Sequence, residues 1–146
     1  MGVYNERDVG QFAGVSQRAQ LATCFRPDLT ITTDDQIVWL IDTAEIGAVN
    51  ACITIHNKGS TAVRLNAFVS NDKDRIASAA GRVALTELFS EADASLALPL
   101  TISGTTVDHA ILGYKNQPML TTFRYWGFYL DTASGSSTVD IYGNAK

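Results

Sequence analysis

Long apolar runs are missing from this sequence. No stretch of about 18 apolar residues occurs, so no membrane helix is expected. The opening ten residues, MGVYNERDVG, are polar and charged and lack the apolar core of a signal peptide. The expectation is a chain made and kept in a cytosol. Cysteine is scarce, with only Cys24 and Cys52. Without a secretion signal, two cysteines read as buried thiols rather than a bridge. No C-x-x-C or H-x-x-x-H spacing offers a metal site. Charge is low as well, at 18% of residues against about a quarter in ordinary proteins. That fits a surface partly covered by something other than water, or an all-β chain rich in Ser, Thr and Asn. Lys and Arg stand singly, as at Arg18, Arg26, Lys58 and Arg64, and the formal net charge is -4. Nucleic-acid binding needs a basic face that is absent here.

Catalytic groupings are equally thin. Only two histidines exist, His56 and His109. Neighbours in a strand face opposite ways, so Asp108 cannot orient His109 in a hydrolase-type dyad, and no set of nucleophile, base and orienting group is visible. The glycines match neither the dinucleotide fingerprint nor the P-loop. Asp72-Lys73-Asp74 lacks the later oxygen ligands of a calcium loop. The reading is no enzyme, no cofactor and no metal.

What is present is strand grammar. Thr121 to Tyr142 reads TTFRYWGFYLDTASGSSTVDIY, two runs of aromatic and β-branched residues around the polar turn Ala133-Ser134-Gly135-Ser136. This is a hairpin signal. Arg124, Trp126, Phe128 and Leu130 point one way, and Phe123, Tyr125, Gly127 and Tyr129 the other. Both faces carry rings, so the strand is covered on both sides, in the middle of a sandwich or at a subunit contact. A second hairpin is expected from Ala51–His56, the turn Asn57-Lys58-Gly59-Ser60, and Ala62–Ser70. Asp28–Thr33, Gln36–Asp42, Ser95–Ile102 and Thr106–Gly113 read as further strands, with Pro99 marking Ser95–Ile102 as an edge. Residues 71–93 are the one non-β stretch. Ile76, Ala79, Ala80 and Val83 recur at helical spacing, with an ordered loop bringing Leu85, Leu88 and Phe89 to the core as the alternative.

The expectation is an all-β antiparallel sandwich, jelly-roll-like or immunoglobulin-like, spanning residues 28–146, with one short helical insert. Residues 1–27, closed by Pro27, form an N-terminal arm. Tyr4, Phe12 and Phe25 are poor choices for a solvated tail. With Phe68, Tyr125 and Tyr129 they are the candidate interface residues. Tyr125, Tyr129 and Trp126 could alternatively stack on sugars.

The run from Asn57 to Phe68, N-x-G-S-T-A-x-x-x-N-A-F, resembles a hairpin of small virion proteins from tailed bacteriophages. The close of the chain, an aromatic strand, a Gly/Ser turn and Ser137 to Tyr142, looks like the end of the same sort of protein. The resemblance implies a capsid decoration (cement) protein that binds the major capsid protein, self-associates as a homo-oligomer, often a trimer, and resides in the virion after assembly in the host cytoplasm. Tail, neck or baseplate proteins are the alternative, as is a carbohydrate- or receptor-binding module. The resemblance transfers no catalytic residues.

Overall fold

The computed structural model describes residues 22–47 and 50–146. Tyr4 and Phe12 lie outside the described residues. Among the described residues eleven strands are formed: β1 Thr23–Ile31, β2 Gln36–Asp42, β3 Asn50–Asn57, β4 Val63–Ser70, β5 Val83–Ala84, β6 Glu87–Phe89, β7 Ser95–Ala97, β8 Leu100–Ile102, β9 Val107–Gly113, β10 Tyr125–Asp131 and β11 Ser137–Ala145. They make two antiparallel sheets. One has the order β1-β11-β3-β9-β6-β7. The other runs β2-β10-β4, and both β5 and β8 pair with the far edge of β4.

The pairing has a simple logic. β1 pairs β11, β2 pairs β10, β3 pairs β9, and β4 pairs β8. The chain is folded in half and the halves are zipped antiparallel. The long ribbon is then rolled, so that successive pairs fall in alternate sheets. This is a jelly roll, and residues 71–99 are an insert at the fold point.

The roll turns both expected hairpins into arches. β3 and β4 lie in different sheets, and so do β10 and β11. The alternation was read correctly, but an arch and a hairpin share it. Ile53 and Ile55 face Val63 and Leu65 across the core rather than lying beside them, and all four are 0–1% exposed. The same roll divides SLALPLTI. β7 edges one sheet, β8 joins the other, and Pro99 stands in the link between them.

The core between the sheets stacks Trp39 on Phe128 (5.6 Å) and sets Trp126 edge-on to Tyr114 (5.5 Å). Burying each such side chain contributes roughly 1.5–3 kcal/mol. Gly143 lies on the inner side of β11 because a Cβ there would sit 2.5 Å from the Trp39 ring. β10 is covered on both faces, as its rings require. Its outer cover is the chain's own insert. Ile76 packs there with Ile37, Leu40, Phe68, Tyr125 and Tyr129, and the Arg82 guanidinium lies 4.9 and 5.0 Å from the Phe68 and Tyr129 rings.

Three local expectations change. The insert holds 3-10 turns at Lys73–Arg75 and Ala79–Gly81 instead of an amphipathic α-helix. Of its apolar series Ile76 is buried, while Val83 is 45% exposed. The periodicity also counted Ala80, which is exposed. Leu85 and Leu88 do reach the core. An α-helical turn forms instead at Thr43–Ile46, with Asp42 capping the Ala44 N–H and Gly47 left-handed at its end. Lastly, β1 begins at Thr23, so residues 23–27, expected in the arm, belong to the sheet. Pro27 lies in an edge-strand irregularity between Arg26 and Leu29, where a missing N–H costs no ladder bond. Arg26 is buried, and its Nη1 donates to the Ile37 and Val38 carbonyls (3.3 Å each), tying the two sheets together at their open side.

Candidate interaction face

The outer face of the six-stranded sheet is built by alternation. β11 turns Ser137, Val139, Ile141 and Ala145 into the core. It therefore turns Thr138, Asp140, Tyr142 and Asn144 outward. Register carries the rows across. Phe25, Tyr142, Thr54 and His109 are successive neighbours on β1, β11, β3 and β9. Beside that row run Asp140, His56 and Val107, and on its other side Asn144, Cys52, Ile111 and Phe89.

The apolar part of this face, at its β1 edge, stands in solvent. Phe25 is 59% exposed and Tyr142 43%, and their rings stack at 5.2 Å. Val107 is 57% exposed. An aromatic pair held in register by the seven residue pairs of β1 and β11 is a rigid platform, with little side-chain freedom left to lose on contact.

Charges flank the platform. Lys58 Nζ lies 2.8 Å from Asp140 Oδ1 and also bonds Asp28. The Asp28 N–H donates to the same Asp140 oxygen at 2.8 Å. The Lys58 hydrogen bond, then the Asp28 N–H, hold the Asp140 carboxyl below its usual range. A lowered folded pKa gives stability that is complete above the unfolded value, about 3.9 for Asp, and lost as pH falls through the folded value. Asp140→Asn should therefore flatten the acid limb of a thermal-melting profile below about pH 4; an unchanged limb would show that Asp140 carries none of it. Across the face, His109 Nε2 lies 2.6 Å from Glu91 Oε1, and this contact holds the Glu91 carboxyl low. Asp108 lies beside Ile55 on β3, one position off the row that holds His109.

At the β6 side the face sinks into a trough of about 400 Å3, floored by Cys52, Ile111 and Phe89. Both cysteines are free thiols. Burial pushes the Cys24 thiol up to about 12 and, with Glu91 nearby, raises that of Cys52. Among the described residues no group of three or more His, Cys, Asp or Glu could hold a metal ion.

Of the expected interface residues, Phe25 is exposed on this face. Phe68 and Tyr125 are not available: they are 0% and 7% exposed, because the insert covers their side of β10. Tyr129 is half-buried under Arg82. Trp126, on the inner side of β10, is fully buried. Of the rings that could stack on sugars, Trp126 and Tyr125 are thus packed inside the chain and Tyr129 is half-buried. Tyr142 and Val107 were missed. The outward alternation of β11 already sets Tyr142 among polar residues. Its partner Phe25, however, is found only from the pairing of the first strand with the last. The chain matches no protein-family model, and no curated protein matches it.

Proposed function

We propose that this chain is a structural virion protein of a tailed bacteriophage, of the capsid-decoration kind, which docks on the major capsid shell and self-associates as a trimer. The observation that supports this best is the exposed Phe25–Tyr142 stack on the outer face of the six-stranded sheet. Buried aromatic anchors dominate interface energies, and a soluble monomer gains nothing from exposing such a pair. The jelly-roll architecture and the Asn57–Phe68 resemblance point the same way. A tail, neck or baseplate position would use the same face.

The test is co-sedimentation with heads assembled from the major capsid protein of the same phage. Wild-type protein should bind, and light scattering should report a trimer. Tyr142→Ala should weaken binding by tenfold or more, about the 1.4 kcal/mol or greater loss of an anchoring ring, without lowering Tm. A monomer that ignores the heads, or a Tyr142→Ala variant that binds like wild type, would end this reading.

A further inference from the structure

The trough beside the platform carries a second inference, independent of the virion reading. We propose that it is a binding site for a neutral sugar ring of the hexopyranose class. Its volume, about 400 Å3, falls within the range of small-molecule sites, roughly 300–1,000 Å3. The floor is a continuous apolar strip, since Cys52, Ile111 and Phe89 are cross-strand neighbours on β3, β9 and β6. A pyranose presents one face of C–H groups, and a strip with a phenyl ring at its end suits that face.

The rim supplies the complementary polar groups. Asn50 and Asn144 stand on one side and Asn116 on the other, all exposed. Each amide can both donate and accept, which is what a ring of hydroxyls, also donors and acceptors, requires. The Asn50 and Asn144 side chains spend no hydrogen bond on another described residue. On the far wall Lys115 is neutralised by Asp93 at 2.7 Å, and Asn116 lies 3.5 Å from the same carboxylate. That pairing cancels the charge of Lys115, which suits a neutral ligand on this wall; Lys146 also lines the trough.

Peptide is the competing occupant, and the topology argues against it. β11, β3 and β6 have partners on both sides, and at the floor Ile111 of β9 is paired with Cys52 on one side and Phe89 on the other. No free edge exists at the floor where an extended peptide could add as a strand. Recognition there has to come from side chains. The floor also lies two to four strand spacings from Phe25 on β1, roughly 10–19 Å, so the two surfaces can be mutated separately.

The experiment is a 15N–1H NMR titration of the full chain with glucose, galactose, mannose and N-acetylglucosamine, with glycerol as the hydroxyl control. At least one hexose should give saturable shifts at millimolar concentration, confined to amides around Cys52, Ile111, Asn116 and Asn144. Glycerol, which lacks a ring face, should give none. Asn144→Ala should weaken binding about fivefold, the loss of roughly one hydrogen bond, and Asn116→Ala similarly. Phe25→Ala should leave the sugar titration unchanged while removing head binding, so each reading fails separately. Absence of saturable shifts with all four sugars, equal shifts with glycerol, or full binding by Asn144→Ala would overturn the assignment.

Discussion

Asn57→Ala should lower the unfolding free energy by about 4 kcal/mol, from the loss of several buried hydrogen bonds at about 1–3 kcal/mol each. Asn57 ends β3 and is completely buried. Its amide Nδ2 is shared among the carbonyls of Thr61 (2.9 Å), Ile102 (3.1 Å) and Ser103 (3.2 Å). Its Oδ1 accepts from the Gly59 N–H at 3.2 Å and from the Ser137 hydroxyl at 2.6 Å. One side chain thus clamps the β3–β4 arch, the end of β8 and the start of β11. Alanine leaves those carbonyls with too little room for a full set of waters and nothing to bond. For a chain of this length the loss corresponds to a Tm drop of roughly 10 °C. Asn57→Asp is the sharper variant. It keeps the acceptor but turns a carboxylate toward three carbonyl oxygens, which raises its folded pKa above the unfolded value of about 3.9. Its stability should therefore be greatest at low pH and fall as pH rises through that window, the reverse of wild-type acid behaviour at Asp140. A melt of Asn57→Ala within 2 °C of wild type, well inside the roughly 2–4 °C expected per kcal/mol, would show that the arches hold without the clamp.

Asn57 also shows where the sequence stopped being informative. The residues Asn57 to Ser60 announce a turn, and the alternation on either side announces strands whose inward residues are the ones found in the core. Neither says whether the turn joins neighbours in one sheet or crosses between two. That depends on Ser137 and Ile102, which are 80 and 45 positions away. The same limit explains SLALPLTI, whose alternation continues through a change of sheet. It explains Phe25 too, whose exposure is set by the pairing of the first strand with the last. Phe68 and Tyr125 failed as interface residues for a related reason. A ring on the outer side of a strand needs a cover, and local pattern cannot tell a partner subunit from a loop of the same chain. Ile76, apolar in a polar stretch, was the available signal that the loop is the cover. The helical spacing of the alanines around it pointed to a different structure.

Gly127→Val tests that cover directly and should destabilise by about 3 kcal/mol, at the upper end of overpacking costs. Gly127 lies in the middle of β10, between Leu40 on β2 and Phe68 on β4. A Cβ there would sit 2.2 Å from Phe68 Cζ and 2.4 Å from Cε2. On propensity alone the change should help, since glycine in a strand interior costs roughly 0.5–1 kcal/mol relative to alanine, and valine suits strands better still. Steric conflict wins because the Phe68 ring cannot yield: it is 0% exposed, with Arg82 at 4.9 Å and Tyr129 at 6.2 Å from it. The ring can only move outward, and it would take Arg82 and the insert with it. The variant should therefore lose stability and also become more open to trypsin at Arg75, whose side chain is 74% exposed, or at Arg82. Phe68→Ala alone should cost about 3–5 kcal/mol. In the Gly127→Val background it should cost at least about 1 kcal/mol less, because the valine methyls occupy the space the ring leaves. Additive losses in the double variant, or a Gly127→Val protein as stable and protease-resistant as wild type, would mean that the insert rides loosely on β10, and the outer side of that strand would again be open to a partner.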